Sequence, residues 1–423
     1  MRRVLSVLVL VGASSALSAQ ESPFSEVLLP ALVREALERN PQIQMARRLV
    51  EAKRARVPQA GALPDPMLMY GVVNEASPVP FESLGQRDFS EVYVGISQDI
   101  PFPGKRGLRE KVAREEASAA EWAYEAVRRL VVSKVAQGYF DLYAVHAGLS
   151  IVERNFQLLD QLVKVARARY SVGQATQQDV LDAELELSRL EERRSLLVQR
   201  RSVVEAVLAR LLYRTDPVPF GRPGSVLKTA LEASLEQVLT RAQEESPLLR
   251  EQERFVAQGE RRVDLARKER LPDLGFSFVY HNRDDHFFNP YYSYGGTLTL
   301  PIYAGRKQKK AIQEAAENLG GASSALEAAR AQVRYEVTDA FLMASTADRL
   351  LRLYDEGILK QARLSLDSAI AQYQVGKVDF LTLVTNWRRL LDYDLTYHEQ
   401  LAEHEKALAR LSVHVSAVTG QPF

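Results

Sequence analysis

Cysteine is missing from all 423 residues, histidine occurs six times and tryptophan twice. Without cysteine there are no disulfides, thiolate metal sites or cysteine nucleophiles, and no N-terminal cysteine to carry a lipid. Charge of one sign is missing as well: 55 Lys and Arg stand against 54 Asp and Glu, for a net charge of +1. No basic run is dense enough to follow a phosphate backbone, so no nucleic-acid partner is expected. Phosphate loops, nucleophile elbows and two-histidine metalloprotease motifs are absent too. Gly104-Lys105-Arg106 lacks the spaced glycine of a phosphate loop and follows a proline. It reads instead as a strand-to-helix junction whose basic residues meet lipid headgroups at the inner leaflet. Neither an enzyme nor a cofactor is expected.

What is present begins at the N-terminus. Arg2 and Arg3 precede the apolar stretch VLSVLVLVGASSA and then the small residues of ALSAQ. That order predicts a secretory signal peptide over 1–19, cut near Ser18 or Ala19. The apolar stretch falls short of the roughly 20 residues a membrane-spanning helix needs. No later segment is long and apolar enough either, so the exported chain is soluble or a β-barrel.

The rest is written twice. Asn40-Pro41 recurs as Ser246-Pro247, Leu63-Pro64-Asp65 as Leu271-Pro272-Asp273, GISQDIPFPGKR (95–106) as GTLTLPIYAGRK (296–307), and Tyr170-Ser171-Val172-Gly173 as Tyr373-Gln374-Val375-Gly376. Four landmarks in one order predict a tandem duplication. Residues 20–213 form the first repeat, 214–233 a linker rich in Pro and Gly at its start, and 234–423 the second repeat. In each, a helix (31–60 and 234–269) ends at Leu-Pro-Asp and two strands follow, 67–74 and 91–100, then 274–280 and 294–300. Val92, Val94 and Ile96 alternate with Tyr93, Gly95, Ser97 and Asp99, and Leu274, Phe276, Phe278 and Tyr280 with Gly275, Ser277 and Val279. This period-2 writing predicts strands with two different environments.

A very long helix follows in each repeat. Val135, Gly138, Leu142, Val145, Leu149, Val152, Phe156, Leu159, Val163, Ala166 and Tyr170 keep 3-4 spacing, the mark of a coiled-coil seam. A helix over 108–170 would be roughly 95 Å long. Val-Gly then ends the long helix in both repeats, and a return helix follows, so the two pairs mark the tips of two antiparallel hairpins.

Four strands, two per repeat, leave open edges that are a hazard in water and untenable in lipid. Pooling strands from several identical chains into one closed barrel removes both objections. A length near 9–11 tilted residues suits a bilayer, and three chains give twelve strands and a lumen. The loops 75–90 and 281–293 are polar with aromatic flanks. Tyr280, Phe287, Phe288, Tyr291, Tyr292 and Tyr294 resemble an interface girdle. The expected fold is therefore mainly α with a small membrane β-barrel contribution: two tandem repeats, each a long helical hairpin plus two strands. The alternative left by the residues is a soluble β-cap on a periplasmic coiled-coil adaptor or scaffold.

The order N-P…L-P-D-P, GISQDIPFPGKRGLR and YSVGQATQQDVLDAELELSRLEE, with a weaker second copy, resembles the TolC-like outer-membrane efflux proteins. The resemblance covers nearly the whole mature chain. It implies a homotrimer with a twelve-stranded outer-membrane barrel, a long α-helical tunnel across the periplasm, and no catalytic chemistry. It implies docking of the tips onto a periplasmic adaptor (membrane fusion) protein and an inner-membrane pump. LPDPMLMYGV and QDIPFPGKRGLR are most similar in wording to heavy-metal efflux members that work with pumps of the resistance-nodulation-division type. The same duct for drugs or other small molecules is the alternative cargo.

Val172, Gly173, Val375 and Gly376 match the family's tip motif and are the docking candidates. Asp179 and Asp182 match its acidic positions at the periplasmic mouth, where three copies would make a ring attractive to cations. An aspartate there is equally favoured by helix capping. The second repeat departs, with Asp379 alone close to its turn. His281, Asp284, Asp285 and His286 form the only cluster with metal-ligand chemistry, although a solvated loop suits them better. His404 falls on a seam position and reads as packed or facing a lumen.

Overall fold

The structure, a computed structural model, describes residues 27–84, 87, 90–215, 220–283 and 290–416. The expected signal peptide, Asp284, Asp285, His286, Phe287 and Phe288 lie outside the described residues. No described helix is long and apolar enough to cross a membrane.

Helices α1 (Leu29–Arg39) and α2 (Pro41–Gly61) lead to β1 (Met67–Val73) and β2 (Glu91–Ile100). The long α3 (Lys105–Ser171) follows, and α4 (Gln177–Leu212) returns along it. The second half repeats the order with α5 (Leu235–Glu245), α6 (Pro247–Lys268), β3 (Asp273–Asn282) and β4 (Tyr291–Thr299). Its long helix has two parts, α7 (Lys307–Leu353) and α8 (Leu359–Gln374), joined by a π-helical turn at Tyr354–Ile358; α9 (Phe380–Leu411) returns.

Two expectations need correcting. The helix expected over 31–60 is broken at Asn40-Pro41, and that over 234–269 at Ser246-Pro247. Proline has no N–H to continue a helix but suits the first turn of a new one. Asn40 caps α2 by accepting from the Gln42 and Ile43 amides. The second long helix is not continuous either. A π turn holds one more residue than the α ladder allows, and Gly357 lies in it.

The four strands form one antiparallel sheet in the order β1-β2-β3-β4. All four helix ends beside it (those of α2, α3, α6 and α7) join directly to strands, so the long helices run away from the sheet. At 67 residues α3 is about 100 Å long. Three apolar clusters hold the rods together. The one nearest the tips packs Leu159, Val163, Ala183, Leu366, Leu383 and Trp387, and the Trp387 indole N–H donates to Asn155 Oδ1 at 2.9 Å. The expected seam is largely buried, with Leu149 and Phe156 only half-buried. Tyr170, its last member, is exposed because the helix ends one residue later.

Candidate functional site: a two-faced sheet and paired helical tips

The strand register sorts the sheet residues onto two faces. Leu68 lies opposite Ile96, which lies opposite Phe278, which lies opposite Tyr294. The same parity puts Tyr70, Val94, Tyr280 and Tyr292 on this face. Its rings form a ladder, with Phe278 stacked on Tyr292 at 5.7 Å and in contact with Tyr294 at 5.3 Å. Among the described residues nothing covers its β1 end: Tyr70 is 82% exposed and Leu68 73%. An uncovered apolar face of this kind marks contact with a membrane or a partner.

The opposite face is mixed: Gly71, Gly95, Ser97, Gly275, Ser277, Gly295 and Thr297 share it with Met67, Met69, Val73, Tyr93 and Val279. At its loop end Glu91 is buried and gathers three donors. His281 Nδ1 lies 2.8 Å from Glu91 Oε1, and Arg283 Nε and the Tyr291 hydroxyl each donate to Oε2 at 3.1 Å. His281 Nε2 lies 2.9 Å from Ser293 Oγ, and its ring stacks on Tyr291 at 4.4 Å. Both histidine nitrogens are thus engaged. Tyr291, expected in the aromatic girdle, belongs to this face instead. Among the described residues no group of three or more His, Asp or Glu is arranged to hold a metal ion.

At the strand-to-helix junction Lys105 is 1% exposed and does not reach out to headgroups, contrary to expectation. Its Nζ donates to Leu271 O at 2.8 Å and Asp273 Oδ1 at 2.9 Å, with Glu269 at 3.3 Å. A buried ammonium needs such partners. Lys105 therefore fastens the first repeat to the second.

At the far end the two hairpins terminate alike. Gly173 (φ +74°) and Gly376 (φ +72°) take the left-handed conformation that glycine adopts without strain. Gly173 N donates to Tyr170 O and Gln174 N to Arg169 O; Gly376 N and Lys377 N repeat the pattern to Tyr373 O and Gln372 O. This doubled closure satisfies the last helical carbonyls. Val172 and Val375 protrude, at 67% and 68% exposure. A residue the sequence reading did not weigh joins the tips. The Arg169 guanidinium donates to Tyr373 O and lies 4.8 Å over the Tyr373 ring.

The acidic candidates divide. Among the described residues Asp179 accepts no hydrogen bond across the hairpin. It completes a capping box in which its amide donates to Thr176 Oγ1 and its carboxylate accepts from the Thr176 amide. Asp379 caps α9 by accepting from the Thr382 amide at 2.8 Å, which holds its carboxyl below the usual range. The Asp182 side chain is half-buried and forms no hydrogen bond or ion pair among the described residues. His404 is fully buried, its nitrogens 3.0 Å from Ala344 O and 2.8 Å from Thr229 O.

One constellation has the order of a hydrolytic triad. Ser246 Oγ lies 3.2 Å from His414 Nδ1, and His414 Nε2 lies 2.8 Å from Glu336 Oε2. Ser246 is wholly buried at the N-cap of α6, so no substrate reaches it. It fastens helices and is not a nucleophile.

A protein with two exposed tips, paired rods and a sheet apolar on one face is matched twice along its length by one family description. The outer membrane efflux protein family fits residues 32–212 and again 238–413. The chain belongs to the outer membrane efflux protein family. Members are channels and not enzymes, and the chain is an outer-membrane protein. It is 25% identical over 336 residues to the pyoverdine export outer membrane protein OpmQ of Pseudomonas aeruginosa, covering 76% of this chain and 67% of that one. It is 24% identical to the cation efflux system protein CusC of Escherichia coli O157:H7, covering 90% and 85%. A solved structure of CusC superposes with a TM-score of 0.78 over 94% of this chain and 93% of that one, at 20% identity. Arg169 and Glu91 carry no signal in the sequence, and Lys105 reads wrongly there as a headgroup contact, because the partners of all three lie 160 or more residues away.

Proposed function

We propose that three copies of the chain form a passive exit duct, with a twelve-stranded barrel in the outer membrane and a helical tunnel below it. The observation that carries this reading is the two-faced sheet: an uncovered aromatic face, a face richer in glycine, serine and threonine, and an edge strand at each side with no partner among the described residues. Closing the edges of several copies would point the aromatic face at lipid and the other face at a lumen. Exposed apolar side chains along α4 (Leu181, Leu185, Leu196, Val203) and on α7 and α8 (Leu342, Leu353, Leu364) supply the matching rod surfaces. The duplicated units run over 20–213 and 234–423 with 214–233 between them. The tips at Val172, Gly173, Val375 and Gly376 dock a periplasmic adaptor served by an inner-membrane pump of the resistance-nodulation-division type. Asp182, which caps nothing, is the best placed of Asp179, Asp182 and Asp379 to present charge at the mouth.

Heavy-metal cations are the proposed cargo, supported by the wording shared with metal-efflux members and by the likeness to CusC over 90% of this chain. The likeness to OpmQ favours a second reading, a small organic cargo. A deletion strain tests them together. Sensitivity to copper, silver, zinc or cobalt that the restored gene reverses supports the metal reading. Sensitivity confined to dyes, detergents or chelators sinks it and leaves the duct in place.

A further inference from the structure

Two helix faces and the linker between the repeats enclose a cavity that the duct leaves unused. His146, Leu149 and Glu153 recur at helical spacing on one face of α3, and Arg194, Val198 and Arg201 on one face of α4. The linker lies beside them through Phe220 and Arg222. Together they line a cavity of about 530 Å³, within the size range of small-molecule sites. Leu149, Val198 and Phe220 give it an apolar wall. Its charged lining sets four arginines, the fourth being Arg154, against the single carboxylate of Glu153.

That positive charge is only partly answered within the chain. Arg194 pairs with Glu191 at 3.2 Å, and Arg154 donates to Ser150 Oγ at 3.4 Å. Arg201 has Glu205 alone, at 3.9 Å. Arg222 is exposed and its side chain has no partner among the described residues. Two nitrogens, His146 Nε2 and Arg201 Nε, are withdrawn from solvent without a hydrogen-bond partner among the described residues. Buried polar atoms left unmatched are destabilising, so the cluster is incomplete by itself. A guanidinium edge presents two parallel N–H donors that fit the two oxygens of a carboxylate or phosphate. A cavity between α7 and α9 in the second repeat has the opposite lining, with Asp339 and Glu403 and no basic residue. The basic lining is therefore not a consequence of the duplicated plan.

We propose that this cavity binds a small organic oxyanion, its carboxylate or phosphate held by Arg201, Arg222 and His146 and its apolar body against Leu149, Val198 and Phe220. Such a site needs only one chain, so it does not depend on the duct. Burial and the charges of Arg201 and Arg222 hold the His146 imidazole below its ordinary range. Of the other charged groups lining the cavity, Arg154 and Arg194 act in the same sense and Glu153 opposes them. A bound oxyanion reverses that balance, so the imidazole gains a proton on binding. The complex then holds the proton more firmly than the free protein does, and affinity rises as pH falls from about 7.5 to about 5.5.

Titration calorimetry on the full-length protein in detergent tests this with benzoate and phenyl phosphate, against neutral benzyl alcohol and inorganic phosphate as controls. At least one of the two organic anions should bind once per chain, about tenfold tighter than either control. Arg222→Gln and Arg201→Gln should each weaken that binding about tenfold, while Asp339→Asn in the acidic cavity should change nothing. Arg222 is exposed, so its variant should fold as the natural protein does. Benzoate titrations in buffers of different ionisation heat should show proton uptake that His146→Gln removes. Failure of both organic anions to bind overturns the site, as does equal affinity for the controls or affinity unchanged in both arginine variants. Proton uptake that persists in His146→Gln overturns the role of His146.

Discussion

The two repeats follow one plan but are held by different chemistry. Where α2 begins, Asn40 donates through Nδ2 to Leu211 O at 2.8 Å, one neutral hydrogen bond to the backbone. Where α6 begins, Ser246 meets His414, which also touches Glu336. At the sheet, Lys105 of the first repeat is sealed inside the chain while Arg306 of the second is exposed. The first long helix is unbroken and the second carries a π turn. Duplication supplied two copies of each joint. The Lys105 copy of the sheet joint closes inside the chain, and the two copies of each joint carry different side chains.

The largest effect should come from breaking the sealed copy. Lys105→Ala leaves the Leu271 carbonyl without its side-chain donor and Asp273 with the Phe102 amide alone, at a cost of about 2 kcal/mol. Arg306→Ala removes an exposed side chain and should leave the unfolding of the single chain unchanged. Urea titrations followed by circular dichroism compare them directly, and equal losses for both would erase the distinction between the sealed copy and the exposed one.

Acid should separate the helix joints next. Burial pushes the His414 imidazole below its ordinary range, only partly opposed by Glu336. The unfolded chain then binds the proton more readily than the folded one. Stability at this joint is complete above pH about 6.5 and falls as pH drops below it, by at most about 1.4 kcal/mol per unit for one proton. The Asn40–Leu211 joint contains no titrating group. His414→Asn should flatten the decline in thermal midpoint between pH 7.5 and 5.5, and Asn40→Ala should lower the midpoint equally at both. A His414→Asn profile as steep as that of the natural protein would place the acid sensitivity elsewhere.

Much of this plan is legible in the chain, and the failures share a cause. Strand alternation and Val-Gly tips are local patterns, so the four strands and both turns fall within a few residues of their expected places. Asn40-Pro41 and Ser246-Pro247 were also local, but a proline that stops one helix while starting another leaves the apolar spacing on both sides intact. The π turn is hidden for a similar reason, since the seam resumes at Leu359 and Leu366 after it. Lys105 and Arg169 are a harder case. A basic residue beside a glycine or near a tip reads as solvated, and only the folded chain brings Asp273 or Tyr373 to it.

The smallest difference is at the tips, where both return helices begin with an acidic residue in different roles. The first uses Thr176 and Asp179 reciprocally, so two backbone amides are satisfied by two side chains. The second uses Asp379 alone as N-cap. Thr176→Ala should cost about 1 kcal/mol locally, yet Asp179 would still offer its carboxylate to the positive end of the helix. Asp379→Ala removes cap and charge together. Hydrogen exchange should therefore accelerate more over the first turn of α9 after Asp379→Ala than over that of α4 after Thr176→Ala. The reverse order would mean that packing of the second tip, through Phe380 against Tyr373 at 5.6 Å, fixes that turn without its cap.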